Sequence, residues 1–295
     1  MTDAATTIGD AHAAADHRSA WRSMRRLLSH KGLMIGAVVI ALVALLALAG
    51  PLLFTGDPLK LSYRTRFRPP SSEFWFGTDH YGRDIFLRIT HGAHLSLLIG
   101  VMVVLITGVG GTLIGAVSGY FQRLDAYFMR VMDALMAFPS LMLAIGIAAA
   151  LGSGVVNVVI ALSIAYLPRT ARVVRASVMS LRHSEYVEAA RVLGASHGRI
   201  LFRHILPNSM APLIIDLTFI FAYAVLADAA LSFLGVGPPP PTPSWGNIIA
   251  EGRDYVVDAP WITIFPGLAI SLTVLGLNLF GDGLRDVLDP RLNTM

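Results

Sequence analysis

The sequence predicts an all-α integral membrane protein with about six transmembrane helices. Three observations lead there. Charged residues make up only 14% of the 295 residues, against about 25% in an average globular domain. Hydrophobic residues make up 55%, and mean hydropathy is +0.64. The hydrophobic residues are gathered in runs long enough to cross a bilayer, which takes about 20 mostly apolar residues. The chain has no cysteine, which excludes disulfides, a thiol nucleophile and a cysteine-built metal site. A pI near 9.6 reflects the basic loops of a membrane protein more simply than a nucleic-acid surface, so no nucleic-acid partner is expected.

Residues 1–32 read as a cytoplasmic N-terminal tail. Its first half is Ala/Thr/Asp-rich and disordered in composition, and Trp21 to Lys31 is basic and suited to anionic lipid. The polar stretch ahead of the first apolar run, and the length of that run, separate it from a signal peptide with its apolar region of about 7–15 residues. The first transmembrane helix is placed at 33–54, and an extracytoplasmic loop at 55–94. Residues 95–284 form a core of five further helices, near 95–119, 127–150, 155–175, 210–235 and 262–284. Only Leu151–Gly154 separates the third and fourth spans, so they form a tight hairpin. Gly111, Gly115 and Gly119 recur at every fourth position of the second span, a stripe that lets another helix pack closely. In an outer segment, 236–260, Pro238 to Pro241 are expected to form an extended strut. Ser244 there caps a short helix from Trp245 to about Tyr255, and Trp245 and Trp261 suit a membrane interface. Residues 285–295 read as a cytoplasmic C-terminal tail.

Lysine and arginine set the orientation. With the N-terminus inside, 16 of them fall on the inner side and 7 on the outer side, which agrees with the positive-inside rule despite a basic first outer loop. Arg169, Arg172 and Arg175 recur every third residue at the inner end of the fourth span and read as part of that inner positive cluster.

The stretch SEYVEAARVLGASHGRILFRHILPN, Ser184 to Asn208, is polar and helix-prone between two apolar runs. Ser184 suits an N-cap, with Glu185 and Glu188 in the first turns. Ala189 and Ala190 leave room for a partner. Gly194 supplies a left-handed helix end, and Ser196 starts a second short helix that runs up to Pro207. Leu201 and Ile205 share one face of it, Arg199 and Arg203 another. Two short helices joined at a glycine make a compact knob within a loop at 182–208.

Glu188-Ala189-Ala190, Gly194 and Leu206-Pro207 resemble the EAA loop of bacterial ABC importer permeases. The stretches FGTDHYGRD (Phe76–Asp84), LADAALSFLGVGPPPPTPSWGNII (Leu226–Ile249) and NLFGDGLRDVLDPRL (Asn278–Leu292) resemble the C-type permease subunit of dipeptide and oligopeptide importers. The resemblance implies the type I ABC importer permease fold in the bacterial inner membrane. It also implies a heterodimer with a homologous permease, two ATPase subunits and an extracytoplasmic substrate-binding protein. It assigns contact with the ATPase, through a coupling helix, to Tyr186, Glu188, Ala189, Ala190, Gly194, Ala195, Leu206 and Pro207. The residues themselves fit a non-catalytic subunit. A P-loop needs a lysine after glycine, and Lys31 and Lys60 are the only lysines, neither after a glycine. ATP and Mg are therefore expected on the partner subunits, with no cofactor on this chain.

Asp216 and Asp228 lie in the fifth span, where carboxylates are functional candidates by default. Asp216 is expected near the inner end, reaching water or an arginine. Asp228 and, in the last span, Asn278 are candidates for the pathway or the permease–permease interface. His80, His91 and His94 lack a ligand spacing, and no metal site is expected. The alternative function is a secondary transporter driven by an ion gradient, which would need coupled ionisable groups near the midplane.

Overall fold

The computed structural model describes residues 30–288. The expected basic, lipid-facing tail up to residue 29 and the end of the chain from residue 289 lie outside the described residues. Within them the fold is helical, with five helices long and apolar enough to span a membrane and a sixth crossing if one bent pair counts as a single span.

Helix α1, Lys31–Leu53, presents Leu42, Leu45, Leu48 and Leu52 outward. Its inner face is lined by Gly36. A Cβ there would stand 2.5 Å from the backbone nitrogen of Phe280 on the last helix. Helix α2, Ile85–Tyr120, has 36 residues and so measures roughly 54 Å at 1.5 Å per residue. It starts well inside the stretch expected to be a loop up to residue 94. Asp84 explains the early start, because its Oδ1 accepts from the backbone N–H of Phe86 at 2.8 Å and of Leu87 at 3.3 Å.

The expected span 127–150 is not one helix. Helices α3, Gln122–Met136, and α4, Ser140–Leu151, meet at 86°. Pro139 sits at the break, and the residue before a proline is disfavoured in helical geometry. Helix α3 also carries Asp125 and Asp133, which turn toward Arg175 and Arg172 of the next long helix. Helix α5, Val155–Leu181, follows the tight turn. The Asn157 side-chain amide donates to the carbonyls of Leu151 and Gly152 there. Gly111, Gly115 and Gly119 of α2 press on α5, where Cβ atoms would meet Thr170, the Ala171 carbonyl at 2.4 Å and the Arg175 carbonyl at 2.8 Å.

Helix α6 is Glu185–Val192. Helix α7 runs unbroken from His197 to Phe233, so the second helix of the knob does not stop at Pro207 but becomes the fifth span. The backbone accommodates the proline by changing pitch. Ile200–Ile205 is π-helical and Leu206–Ser209 is 3₁₀ before α-helix resumes at Met210. Helix α8, Trp245–Gly252, and helix α9, Trp261–Leu288, complete the chain.

Of the four apolar cores among the described residues, one joins Met129 and Met132 to Ala171, and the other three follow the long helices. The central one joins Ile99, Leu162, Ile220 and Leu231 from α2, α5 and α7. One end, the cap end, gathers Ile85, Ile89, Trp245, Ile248 and Ile262. The other, the knob end, gathers Ala116, Val174, Val187, Ile200, Ile205 and Leu213. The start of α1 and the end of α9 both lie at the knob end, joined by a 3.2 Å contact between His30 Nε2 and Asp286.

Candidate functional site

The knob is built around a glycine turn. Helix α6 ends with Gly194 at φ +81°, and the N–H of Ala195 donates to the carbonyl of Ala190 while that of Gly194 donates to Arg191, both at 3.0 Å. This paired closure needs a residue in the left-handed region. A Cβ at Gly194 would meet nothing within 4 Å, so the glycine is there for its backbone angle and not for space. Ser196 then caps the next helix, its Oγ accepting from the N–H of Arg199 at 3.4 Å. Ser184 holds the N-cap position of α6 but does not cap with its side chain. Its Oγ donates back to the Leu181 carbonyl at 2.6 Å, which leaves the Ser184 carbonyl to accept from Val187 and Glu188.

The two faces of the knob differ. Val187, Ile200, Leu201 and Ile205 are buried, with Ala190, Ala195 and Leu206 packed partly against them. Ala190 therefore serves the knob's own core, whereas Ala189 is exposed. Tyr186 ties α6 to the π-helical segment, its hydroxyl donating to the His204 carbonyl and accepting from Asn208 Nδ2, each at 3.4 Å. The C-terminal end of α2 braces the base. Tyr120 Oη lies 2.8 Å from His197 Nδ1, and Arg182 donates to the Gly119 carbonyl at 3.0 Å. Glu188 is exposed, with no side-chain hydrogen bond or ion pair among the described residues. At the tip, Val192 and Leu193 are each 87% exposed. That apolar pair was not singled out in the sequence, although it stands just before Gly194.

The arginines of α5 do more than mark an inner edge. Arg169 Nε donates to Asp216 Oδ1 at 2.8 Å, and Thr170 Oγ1 donates to the other oxygen at 3.0 Å. Arg172 reaches Asp133 at 2.5 Å. Arg175 holds Asp125 with two bonds of 2.5 Å. Because α5 continues to Leu181, Arg169 lies in its body, roughly 21 Å from its start. Asp216 is thus an arginine partner, as one of its expected roles had it.

Asp228 is 1% exposed, and neither of its oxygens has a hydrogen-bond partner among the described residues. Asn278 is half-buried on α9. Asp228 stands about 8 Å from the cap end of α7 and Asn278 about 26 Å from the cap end of α9, so the fold does not bring these two candidates together.

At the cap end, Asp79 Oδ1 accepts from the N–H of Tyr81 and of Arg83, and Oδ2 accepts from Arg83 Nε at 2.6 Å and Arg88 Nη1 at 2.9 Å. Arg83 and Arg88 both also hold Glu251 of α8. Two arginines and two carboxylates thus neutralise one another beneath the cap. Trp245 is not an interfacial anchor. It is 1% exposed and donates to the Ile89 carbonyl at 3.1 Å. Trp261 donates to the Thr78 carbonyl. The proline run does not extend as a strut. It turns at Pro240–Pro241, and the buried Asn247 amide donates to the carbonyls of Pro238 and Thr242 on either side. His91 bonds the Leu87 carbonyl of its own helix and His80 stacks on Tyr255, so these two histidines have separate surroundings.

Residues 111–294 match the family described as binding-protein-dependent transport system inner membrane component. Residues 19–70 match the N-terminal transmembrane domain of oligopeptide transport permease C. A putative peptide transport system permease protein of Brucella abortus is 55% identical over 91% of this chain and 90% of its own length. The dipeptide transport system permease protein of Alkalihalophilus pseudofirmus is 44% identical over 94% and 91%. The di/tripeptide transport system permease protein of Pseudomonas aeruginosa is 44% identical over 92% and 91%. The ion-gradient alternative finds no support among these relatives. With a multi-span helical fold and a match over most of its length, this chain belongs to the family of binding-protein-dependent transport system inner membrane components.

Proposed function

We propose that the chain is the permease subunit of an ATP-driven importer of dipeptides and oligopeptides. It provides half of the translocation pathway and performs no catalysis itself. The observation that carries this reading is the knob, a rigid, glycine-closed turn with an exposed Val192–Leu193 tip, continuous with a membrane-spanning helix. Such an element suits a socket on a cytoplasmic ATPase and passes a rigid-body displacement into the membrane. The relatives' names supply the cargo class.

In this reading the knob end is cytoplasmic, with both chain termini, and the cap end faces outward in a bacterial inner membrane. A homologous permease completes the pathway. Two ATPase subunits dock on the knobs and carry ATP and Mg, and an extracytoplasmic binding protein delivers peptide at the cap. Ala189 gives the close approach, Gly194 the turn, Tyr186, Ala190, Ala195, Leu206 and Pro207 the internal shape, and Glu188 an exposed polar contact for the ATPase. Asp228 and Asn278 serve packing or pathway at separate depths.

The test is purification and reconstitution of the complex. The tagged chain should bring an ATPase subunit with it, and vesicles should take up dipeptide only with ATP and binding protein present. Uptake driven by an ion gradient without an ATPase would refute the reading.

A further inference from the structure

A cavity of about 540 Å³ opens on α5 and α7 beside the elbow between α3 and α4, lined by Phe138, Tyr166, Arg169, Tyr223, Leu226 and Ala230 among others. Its size falls within the roughly 300–1,000 Å³ of small-molecule pockets. Most of the wall is apolar. Apart from Ser140, the polar exceptions cluster at one place. Tyr166 and Tyr223 stack with centroids 6.5 Å apart, and the Arg169 guanidinium lies 5.3 Å from the Tyr223 ring centroid.

The arginine is only half used by the protein. Asp216 takes Nε, while the two Nη groups find no carboxylate or carbonyl among the described residues. Asp216 and the ring therefore hold the guanidinium, which remains 42% exposed and lines both this cavity and a second one beside Asp216 and Arg285. A planar fork held in this way matches a carboxylate with two parallel bonds. A charge this deep in a span signals function unless it is fully paired.

We infer that Arg169, Tyr166 and Tyr223 form a way-station for the peptide in transit. The arginine receives the α-carboxylate, and the rings receive the last side chain. This deepens the proposed function and rests on it. Held by one fork and two rings, the peptide is oriented but not trapped, which suits passage.

This chain has no native cysteine, so a thiol placed in it can be followed on this subunit. The full reconstituted complex carrying Leu226→Cys is treated with a water-soluble thiol reagent during ATP turnover, with and without a mixed dipeptide pool delivered by the binding protein. The pool should slow labelling at position 226. Arg169→Lys keeps the charge near Asp216 but removes the fork, and Tyr223→Leu keeps bulk but removes the ring. In both backgrounds the protection should be lost while ATP hydrolysis stimulated by the binding protein persists. Equal labelling with and without the pool, in a complex that transports dipeptide, overturns the way-station alone. So does a thiol that never labels, since a partner helix then fills the cavity. Protection that follows the anionic-lipid content of the vesicles and not the pool assigns the fork to a lipid phosphate and overturns it too. Failure of the unsubstituted complex to take up any dipeptide removes the proposed function, and the way-station with it.

Discussion

Arg88 grips Glu251 with two hydrogen bonds, Nη1 to Oε2 at 2.9 Å and Nη2 to Oε1 at 3.1 Å, across 163 positions of sequence. The pair fastens the start of α2 to α8, and Arg88 is fully buried. Removing one partner of a buried pair leaves a stranded charge and costs about 3–5 kcal/mol. Glu251→Ala should therefore lower the thermal midpoint of the purified complex and open the 236–260 segment to limited proteolysis. A variant that melts and digests like the parent would show that the pair does not hold the cap.

Acid should loosen the same region. Burial lowers the pKa of His80 below its ordinary value of about 6.5. Asp79 opposes this, and Arg83 adds to it. Above pH ~6.5 both folded and unfolded His80 are neutral, so the cap keeps its full stability. As pH falls below that value, the unfolded chain takes up a proton that the folded site resists, and stability drops until the folded pKa is passed. Relative to the intrinsic exchange rate at each pH, the protection of amides in residues 76–88 and 245–255 should fall between about pH 7 and 5, and His80→Phe should flatten that dependence. An unchanged profile in the variant would place the titration elsewhere.

The knob invites two different substitutions. Gly194→Val forces a branched residue to φ +81° and should strain the turn by about 1–3 kcal/mol. Leu193→Asp leaves the backbone alone and charges the tip. Both should leave the chain in the membrane, weaken co-purification of the ATPase and abolish ATP-dependent uptake. Ala190→Trp tests the knob's own core, because Ala190 packs inward, and should unfold the knob by overpacking. Normal transport by Gly194→Val and Leu193→Asp together would end the coupling assignment.

Sidedness is open to a direct measurement. Val257 is 93% exposed at the cap end and Leu193 87% at the knob end. In intact cells an impermeant thiol reagent should label Val257→Cys and spare Leu193→Cys. Labelling in the opposite pattern would invert the proposed orientation.

Features set by nearby residues were legible in the sequence. The apolar runs revealed the long helices, Gly194 and Ser196 revealed a turn and a cap, and the glycine stripe revealed a close helix contact. Features set by distant partners were not. Nothing adjacent to Arg169, Arg172 or Arg175 indicates that Asp216, Asp133 and Asp125 await them on other helices. Trp245 looks like an interfacial residue until Ile89 and Ser96 enclose it. Pro207 reads as a helix end because the local rule cannot see a pitch change that absorbs it. Pro139 stands at the elbow, yet the expected span runs through it, although Arg130 and Asp133 already make the stretch before it more polar than the one after.

The seam between α1 and α9 has a consequence for how the protein is made. Gly36 meets Phe280 and Gly276, and Gly283 meets Leu33, so the closest packing of the first helix is against the last. A ribosome delivers α1 to the bilayer long before α9. Until α9 is made, α1 must wait in lipid with its glycine face bare, touching α2 near Gly50 and Thr90. This seam thus closes late, and a nascent chain halted before residue 276 leaves its first helix without its main neighbour and open to membrane quality control.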